Sequence, residues 1–395
     1  MQTPNIYVNN YIEKKVPTDL RETTLDLLYI TDRTPTPSHK SEKYSSGRSD
    51  SMAYGEAKIG FKDKSLNWAG LLTASNKQNR STDLFYELPK VKELGRYPES
   101  PYQFKPTANG NKIDESVLRQ KTLHEKQFSN LIRKRLKQSA KKDVVLFVHG
   151  FNNTFNESLY TLTGIWHFLQ RQGVPIAYSW PASDGGLKGY FTDRESGEFT
   201  IFHLKETFRL LSKIPEIENI HIIAHSRGTD VVATTLRELI IESRGKGESP
   251  KQVYRISNLI LAAPDLDYGV IKQRLMAEQF GSAFGKITIY TSPGDTALGI
   301  SQWLMNSLRF GKLRVGDIGL NEVAIFRAIG NVSLIKVPKS RGFIGHDYFH
   351  SNPAVSSDLI NLILHEASPG SEKRPLKNID NNFWALDNQY LKKSN

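Results

Sequence analysis

Ser226 stands in the run Ile220-His221-Ile222-Ile223-Ala224-His225-Ser226-Arg227-Gly228, an apolar segment that closes on a small-x-Ser-x-small pattern. A serine hydroxyl acts as a nucleophile when a sharp strand-to-helix turn presents its Oγ to a general base. The residues two before and two after it must then be small, so that the strand and helix backbones can approach. Ala224 and Gly228 meet that demand. Taken alone, the pattern would read as an ordinary helix N-cap serine. The strand pattern before it and the helix pattern after it point instead to a catalytic Ser226.

Acyl transfer also needs two donors aimed at a developing oxyanion, one from the residue after the nucleophile and one from a loop after an earlier strand. The run Val144-Val145-Leu146-Phe147-Val148-His149-Gly150-Phe151-Asn152-Asn153 supplies such a loop. The backbone N–H groups of Arg227 and Phe151 are therefore the expected oxyanion donors, with Asn152 in reserve for the second.

A serine needs a base, and the base needs an acid to orient it. His346, in Gly342-Phe343-Ile344-Gly345-His346-Asp347-Tyr348-Phe349, follows the last apolar strand and is the expected base, with His350 second. The spacing of four between these histidines could suggest a metal pair, but no glutamate partner lies nearby and Pro353 cuts any helix short, so no metal is expected. Asp295, in Thr291-Ser292-Pro293-Gly294-Asp295, is the expected acid. Asp265 and Asp267, after the preceding strand, compete, with Asp265 the alternative acid or a structural cap. Asn152, Trp180 and His225 are expected around the substrate. The segment Pro181 to Phe199, with Tyr190 and Phe191, is either an apolar wall over the site or a plain connection. His167, His203 and His365 fall in helical stretches and read as packing or surface residues.

These residues must be held by elements, and from Asp143 onward short β-rich apolar runs alternate with amphipathic segments of helical length. That alternation predicts an α/β fold, a mostly parallel central sheet with helices on both faces. The predicted strands are Val144–His149, Val174–Trp180, Ile220–His225, Ile256–Ala263, Lys286–Thr291 and Val332–Val337. Helices are predicted at about Asn156–Gln172, Phe199–Ser212, Thr229–Ser243, Ala297–Leu308 and Ala354–His365. Residues 143–366 form the expected core. Residues 1–142 read as an N-terminal extension packed on it, with strands at Leu25–Thr31 and Glu56–Phe61 and a basic amphipathic helix over Val117–Leu136. Between these, Thr34–Ser51 and Lys62–Lys112 are expected as long loops or a lid. Residues 367–395 read as a polar tail whose aromatic cluster, Phe383, Trp384 and Tyr390, docks on the body.

Composition narrows the chemistry. The 395 residues include no cysteine, which excludes disulfides, thiolate zinc sites and a cysteine nucleophile. The formal charge is +12, and residues 1–142 carry most of it, with 26 Lys+Arg against 16 Asp+Glu. These charges are spread out, with no aromatic-interleaved groove, so no nucleic-acid partner is expected. The basic helix reads as packed on the sheet with a solvated Lys/Arg face rather than as a membrane anchor. No apolar run of about 18 residues occurs, so no transmembrane segment is expected. A soluble cytoplasmic protein is the expectation, or a periplasmic or secreted one if a leader has been removed.

With these residues in place, the chain resembles the α/β-hydrolase superfamily, and within it a group of bacterial esterase/lipase-like hydrolases classed as a family of unknown function. The resemblance rests on Leu28-Tyr29-Ile30-Thr31-Asp32-Arg33, Phe147 to Asn152, Tyr178-Ser179-Trp180-Pro181, Asp193-Arg194-Glu195-Ser196, Ala224 to Gly228, Ala262 to Asp267 and Gly345-His346-Asp347-Tyr348. It spans about residues 25–366. Arg227 stands where many relatives have Met. The resemblance implies a cofactor-free serine hydrolase acting on a small-molecule or lipid carboxylic ester through Ser226, His346 and Asp295. The alternative is a catalytically idle fold that serves as a binding module for an anionic partner.

Overall fold

The computed structural model describes residues 1–11, 13–37, 42–78, 84–108, 110–183, 185–305, 307–338 and 346–392. In chain order the N-terminal third forms β1 (Leu25–Pro35), β2 (Tyr44–Phe61), α1 (Trp68–Asn76), β3 (Tyr86–Arg96), the hairpin β4 (Phe104–Thr107) and β5 (Gly110–Ile113), and α2 (Glu115–Gln138). The alternating series follows as β6 (Asp143–Val148), α3 (Phe155–Phe168), β7 (Val174–Ser179), α4 (Gly186–Ser212), β8 (Asn219–His225), α5 (Gly228–Gly245), α6 (Pro250–Tyr254) and β9 (Ile256–Ala262). Next come α7 (Tyr268–Val270), β10 (Lys286–Thr291), α8 (Thr296–Met305), α9 (Leu320–Ile329), β11 (Val332–Lys336), α10 (Tyr348–Ser351), α11 (Pro353–His365), β12 (Lys377–Asp380) and β13 (Phe383–Ala385).

Eleven strands form one sheet, in the order β12-β13-β11-β10-β9-β8-β6-β7-β1-β2-β3. From β13 to β1 every neighbouring pair is parallel. Every residue of β6 and β7 is buried, as strands covered on both faces require. The pleat divides their side chains. Val144, Leu146 and Val148 point to one core with Phe128 and Ile132 of α2, Leu204 and Phe208 of α4, and Val232 and Leu236 of α5. Val145 and Phe147 point to the other with Leu159 and Leu162 of α3 and Val355 and Leu359 of α11. Right-handed crossovers explain the split: α3 leads from β6 outward to β7, whereas α4 leads from β7 back past β6 to β8, so the two helices land on opposite faces.

The expected α/β architecture is the one observed, and each of the six predicted core strands is present to within a residue at either end. The first third departs from expectation. Residues 62–112 are not a long loop: they contain α1, β3 and the β4–β5 hairpin. Asn67 caps α1 by accepting the Gly70 N–H at 2.9 Å. β3 is the outer edge strand, and its Pro89, Lys90 and Lys92 are residues an exposed edge tolerates. β2 begins at Tyr44 rather than Glu56, because its polar first half pairs with the bulged end of β1. The segment 181–199 is neither a loose wall nor a plain connection, since α4 starts at Gly186. Among the described residues no helix is long and apolar enough to cross a membrane.

The C-terminal segment joins the sheet instead of only docking: β13 pairs in parallel with β11. One buried carboxylate ties it down. Asp358 on α11 accepts from Arg374 Nε at 2.9 Å and Nη2 at 2.7 Å, and from the hydroxyls of Tyr290 and Tyr390, each at 2.7 Å. Removing one partner of a buried, hydrogen-bonded pair leaves the other charge uncompensated. Asp358→Asn is therefore expected to cost about 3–5 kcal/mol in urea-induced unfolding; an unchanged midpoint would show that the clamp does not hold the tail.

Candidate active site

The strands that carry the candidate residues end on the same edge of the sheet. β6 and β8 are neighbours, and the chain leaves them toward opposite faces, so their following loops diverge and leave a crevice. Ser226 follows β8 at φ 52°, a left-handed conformation that a serine adopts only when its surroundings impose it. They do so through hydrogen bonds: Ser226 N–H donates to the Ala262 carbonyl at 3.0 Å, and its own carbonyl accepts from Thr229 Oγ1 at 2.6 Å and Thr229 N–H at 3.0 Å. A Cβ on Gly228 would collide with the His149 carbonyl oxygen, and one on Gly150 would lie 2.7 Å from Ser226 Cβ. Both glycines are thus required by the approach of the two strand ends.

Asp295 and His346 come together. Asp295 closes the turn after β10 and is fully buried, while His346 precedes α10 with its side chain 16% exposed. His346 Nδ1 lies 2.8 Å from Asp295 Oδ2. The other carboxylate oxygen accepts the Leu298 N–H at 2.9 Å, and Lys312 Nζ donates to the Asp295 carbonyl at 2.9 Å. With its Nδ1 proton on the carboxylate, His346 keeps Nε2 as an acceptor. Residues 342–345 of the expected motif lie outside the described residues. His350, the second choice for the base, packs edge-on against Phe349 at 4.6 Å and is not the histidine that Asp295 holds.

Asp265 is occupied elsewhere. It accepts from Tyr190 at 2.8 Å and Ser301 at 2.7 Å, and it lies 3.5 Å from Arg227 and 3.4 Å from Arg309. Asp267 caps α7 through the Val270 N–H at 2.7 Å. Among the described residues no acceptor takes the N–H of Phe151 or of Arg227, the two expected oxyanion donors. The Phe151 ring meets Tyr190 at 5.7 Å between centroids. Asn152 is exposed at φ 52° and abuts the start of α4 at Gly185.

Two residues expected around the substrate lie beneath the strand ends instead. Trp180 is fully buried, stacked on His149 at 5.3 Å, and its Nε1–H donates to the His149 carbonyl at 2.7 Å. It supports the strand ends rather than walling a pocket. His225 is nearly buried, donates from Nε2 to the His346 carbonyl at 3.1 Å, and packs on the His346 and Phe349 rings, each at 4.8 Å. It buttresses His346.

Arg33 lies near the end of β1, and the sequence pattern assigns it no role. Its buried guanidinium donates to the carbonyls of Asn153 at 2.5 Å, Ala182 at 3.3 Å and Ser45 at 3.2 Å, and to Ser179 Oγ at 3.0 Å. One cation thus joins the loops after β6 and β7 to β2. An arginine at the end of an otherwise apolar strand is the signal that could have marked it.

Burial, reinforced by Arg33, pushes the His149 pKa down to about 3, and burial beside His346 pushes His225 well below its ordinary value. Both rings stay neutral in the fold. The unfolded chain, whose histidines titrate near about 6.5, binds protons below that pH that the fold does not. Stability is therefore fully present above about pH 6.5 and falls as pH drops toward the folded values, by up to about 1.4 kcal/mol per pH unit for each ring. Urea midpoints recorded at about pH 7, 6 and 5 should decline accordingly, and a flat series would contradict the burial argument.

Residues 124–363 match the model of the family described as "Alpha/beta hydrolase of unknown function (DUF900)". The chain matches none of the curated proteins. Among solved structures it is similar to a protein assigned as a cell surface hydrolase from Lactobacillus plantarum WCFS1, at 13% identity and a TM-score of 0.34, over 58% of this chain and 94% of that one. It is also similar to a lipase-esterase related protein from Clostridium acetobutylicum ATCC 824, at 12% identity and a TM-score of 0.23, over 52% of this chain and 78% of that one. The matched span runs from the middle of α2 into α11 and takes in both crevice strands, and the chain belongs to this family of α/β hydrolases of unknown function.

Proposed function

We propose that the chain is a serine hydrolase that cleaves carboxylic esters, small or lipid-like, through Ser226, His346 and Asp295. The observation that carries the reading is the 2.8 Å contact between His346 Nδ1 and a fully buried Asp295, on the same sheet edge as a serine held at φ 52°. The buried carboxylate fixes the tautomer that leaves Nε2 free to accept a proton.

In the first half-reaction Ser226 Oγ attacks the ester carbonyl carbon while His346 Nε2 takes the hydroxyl proton. The Oγ–C bond forms, and the carbonyl electron pair moves onto an oxyanion held by the N–H groups of Phe151 and Arg227. The tetrahedral species collapses by breaking the C–O bond of the alcohol, to which the imidazolium returns the proton. Water then repeats the sequence on the acyl-serine: His346 takes a proton from it, the acid leaves, and Ser226 recovers its hydrogen. The imidazolium formed in each half lies against Asp295, which stabilises it.

A fluorophosphonate should add a single adduct to the intact protein, at Ser226, and Ser226→Ala should carry none while keeping the wild-type unfolding midpoint. Asp295→Asn, which offers His346 an amide in place of a carboxylate, should lower kcat by about 10⁴-fold. Full ester turnover by Ser226→Ala would overturn the assignment.

A further inference from the structure

The strand-end cluster around Asp265 holds two buried guanidinium groups whose donors are not all used. Arg227 and Arg309 are 4% and 3% exposed, and both guanidinium groups lie beside the same carboxylate. Asp265 does not satisfy them. Its Oδ2 already accepts from Tyr190 and its Oδ1 from Ser301, and these two hydroxyls also contact each other at 2.6 Å. The nearest guanidinium atoms stand off at 3.5 Å for Arg227 and 3.4 Å for Arg309, beyond good hydrogen-bond length. Arg227 reaches one further acid, Asp230, at 3.5 Å through Nη1, and its plane lies over the Tyr190 ring at 4.8 Å.

The unpaired atoms are the same on both side chains. Among the described residues, Arg227 and Arg309 each leave Nε and Nη2 buried without a hydrogen-bond partner. Those two nitrogens form the side-on fork of a guanidinium, the edge that matches the two oxygens of a carboxylate. At Arg374 the fork is filled, with Nε 2.9 Å and Nη2 2.7 Å from Asp358, whereas at Arg171, Arg237 and Arg255 only Nε is left without a partner among the described residues. A buried donor left open is costly, more so on a charged group, so a pair of open forks is not explained by stability. Their place explains them better. Arg227 directly follows Ser226, and Tyr190, which covers its guanidinium, also touches Phe151, the other proposed oxyanion donor.

We infer that the site takes an ester that itself carries a carboxylate, which the open fork of Arg227 engages while Arg309 stays beside Asp265. The inference rests on the hydrolase reading above and adds the substrate's charge to it. Arg227 then has two separable parts: its backbone N–H serves any ester, and its side chain selects the anionic one.

The test compares kcat/KM for matched ester pairs that differ only in one carboxylate, on either side of the scissile bond. Mono-para-nitrophenyl adipate against para-nitrophenyl hexanoate places it on the acyl side, and meta-carboxyphenyl hexanoate against phenyl hexanoate on the alcohol side. The wild type should favour the anionic member of one pair by at least about tenfold. Arg227→Met should abolish that ratio, Arg227→Lys should keep only part of it because an ammonium lacks the fork, and Arg309→Met should reduce it. A wild-type ratio of one or below in both pairs, or a preference that survives Arg227→Met, overturns the inference. Fluorophosphonate labelling separates the two levels: a labelled Ser226 with no preference removes only the carboxylate reading, whereas an unlabelled Ser226 removes the hydrolase reading with it.

Discussion

The structure depends on one strand pair. β6 and β8 run parallel in unbroken register from Asp143↔Asn219 to Val148↔Ala224, and the chain leaves their ends toward opposite faces of the sheet. The two departing loops therefore meet only at their roots, where backbone approaches backbone. Gly150 and Gly228 record that approach, since a methyl group on either would strike the opposite strand end. Ser226 takes its left-handed conformation because the strand must turn into α5 within the space left over. Position and strain at the serine are thus consequences of sheet topology, with the neighbouring parallel strand β9 supplying the acceptor for its N–H.

Around that root the polar groups divide into those that hold and those that stay open. Arg33, His149, Trp180 and His225 are buried and each direct hydrogen bonds at carbonyls of the strand-end loops, which ties those loops to the sheet. Arg33 does this as a cation pointed at neutral carbonyls, and the same charge helps to keep the His149 ring neutral. Asp295 joins the two roles, with one oxygen anchoring the start of α8 and the other facing His346. Among the described residues, the N–H groups of Phe151 and Arg227 and the Nε and Nη2 atoms of Arg227 and Arg309 have no hydrogen-bond acceptor. On the proposed hydrolase reading these are the donors left for a ligand.

The core was legible in the sequence because burial on both faces gives β6, β7 and β8 continuous apolar runs, and because the helices between them repeat every three to four residues. Ser226, Asp295 and His346 could be singled out because each follows a strand, where this class of sheet presents its loops. The N-terminal third was not legible in the same way. β3 is a half-exposed edge strand rich in Lys and Glu, and the first half of β2 is polar because it extends beyond the covered sheet. β13 is three residues long, too short to announce itself, and is kept in the sheet by the Asp358 clamp on the segment around it.

Residue identity and order by themselves determined that Ser226, His346, Asp295 and a turn flanked by the small residues Ala224 and Gly228 follow strands, because these depend on local pattern. Tertiary structure alone decided which carboxylate serves which partner. Asp265 and Asp295 both follow core strands, and nothing local separates them. Packing does: Asp265 is captured by Tyr190 of α4 and Ser301 of α8, while Asp295 is left for His346, 51 residues further on. The same holds for Trp180 and His225, whose aromatic character suggests a pocket wall and whose burial under the strand ends makes them supports. Such assignments follow from through-space competition for a few polar atoms, and a linear sequence does not specify the distances on which that competition turns.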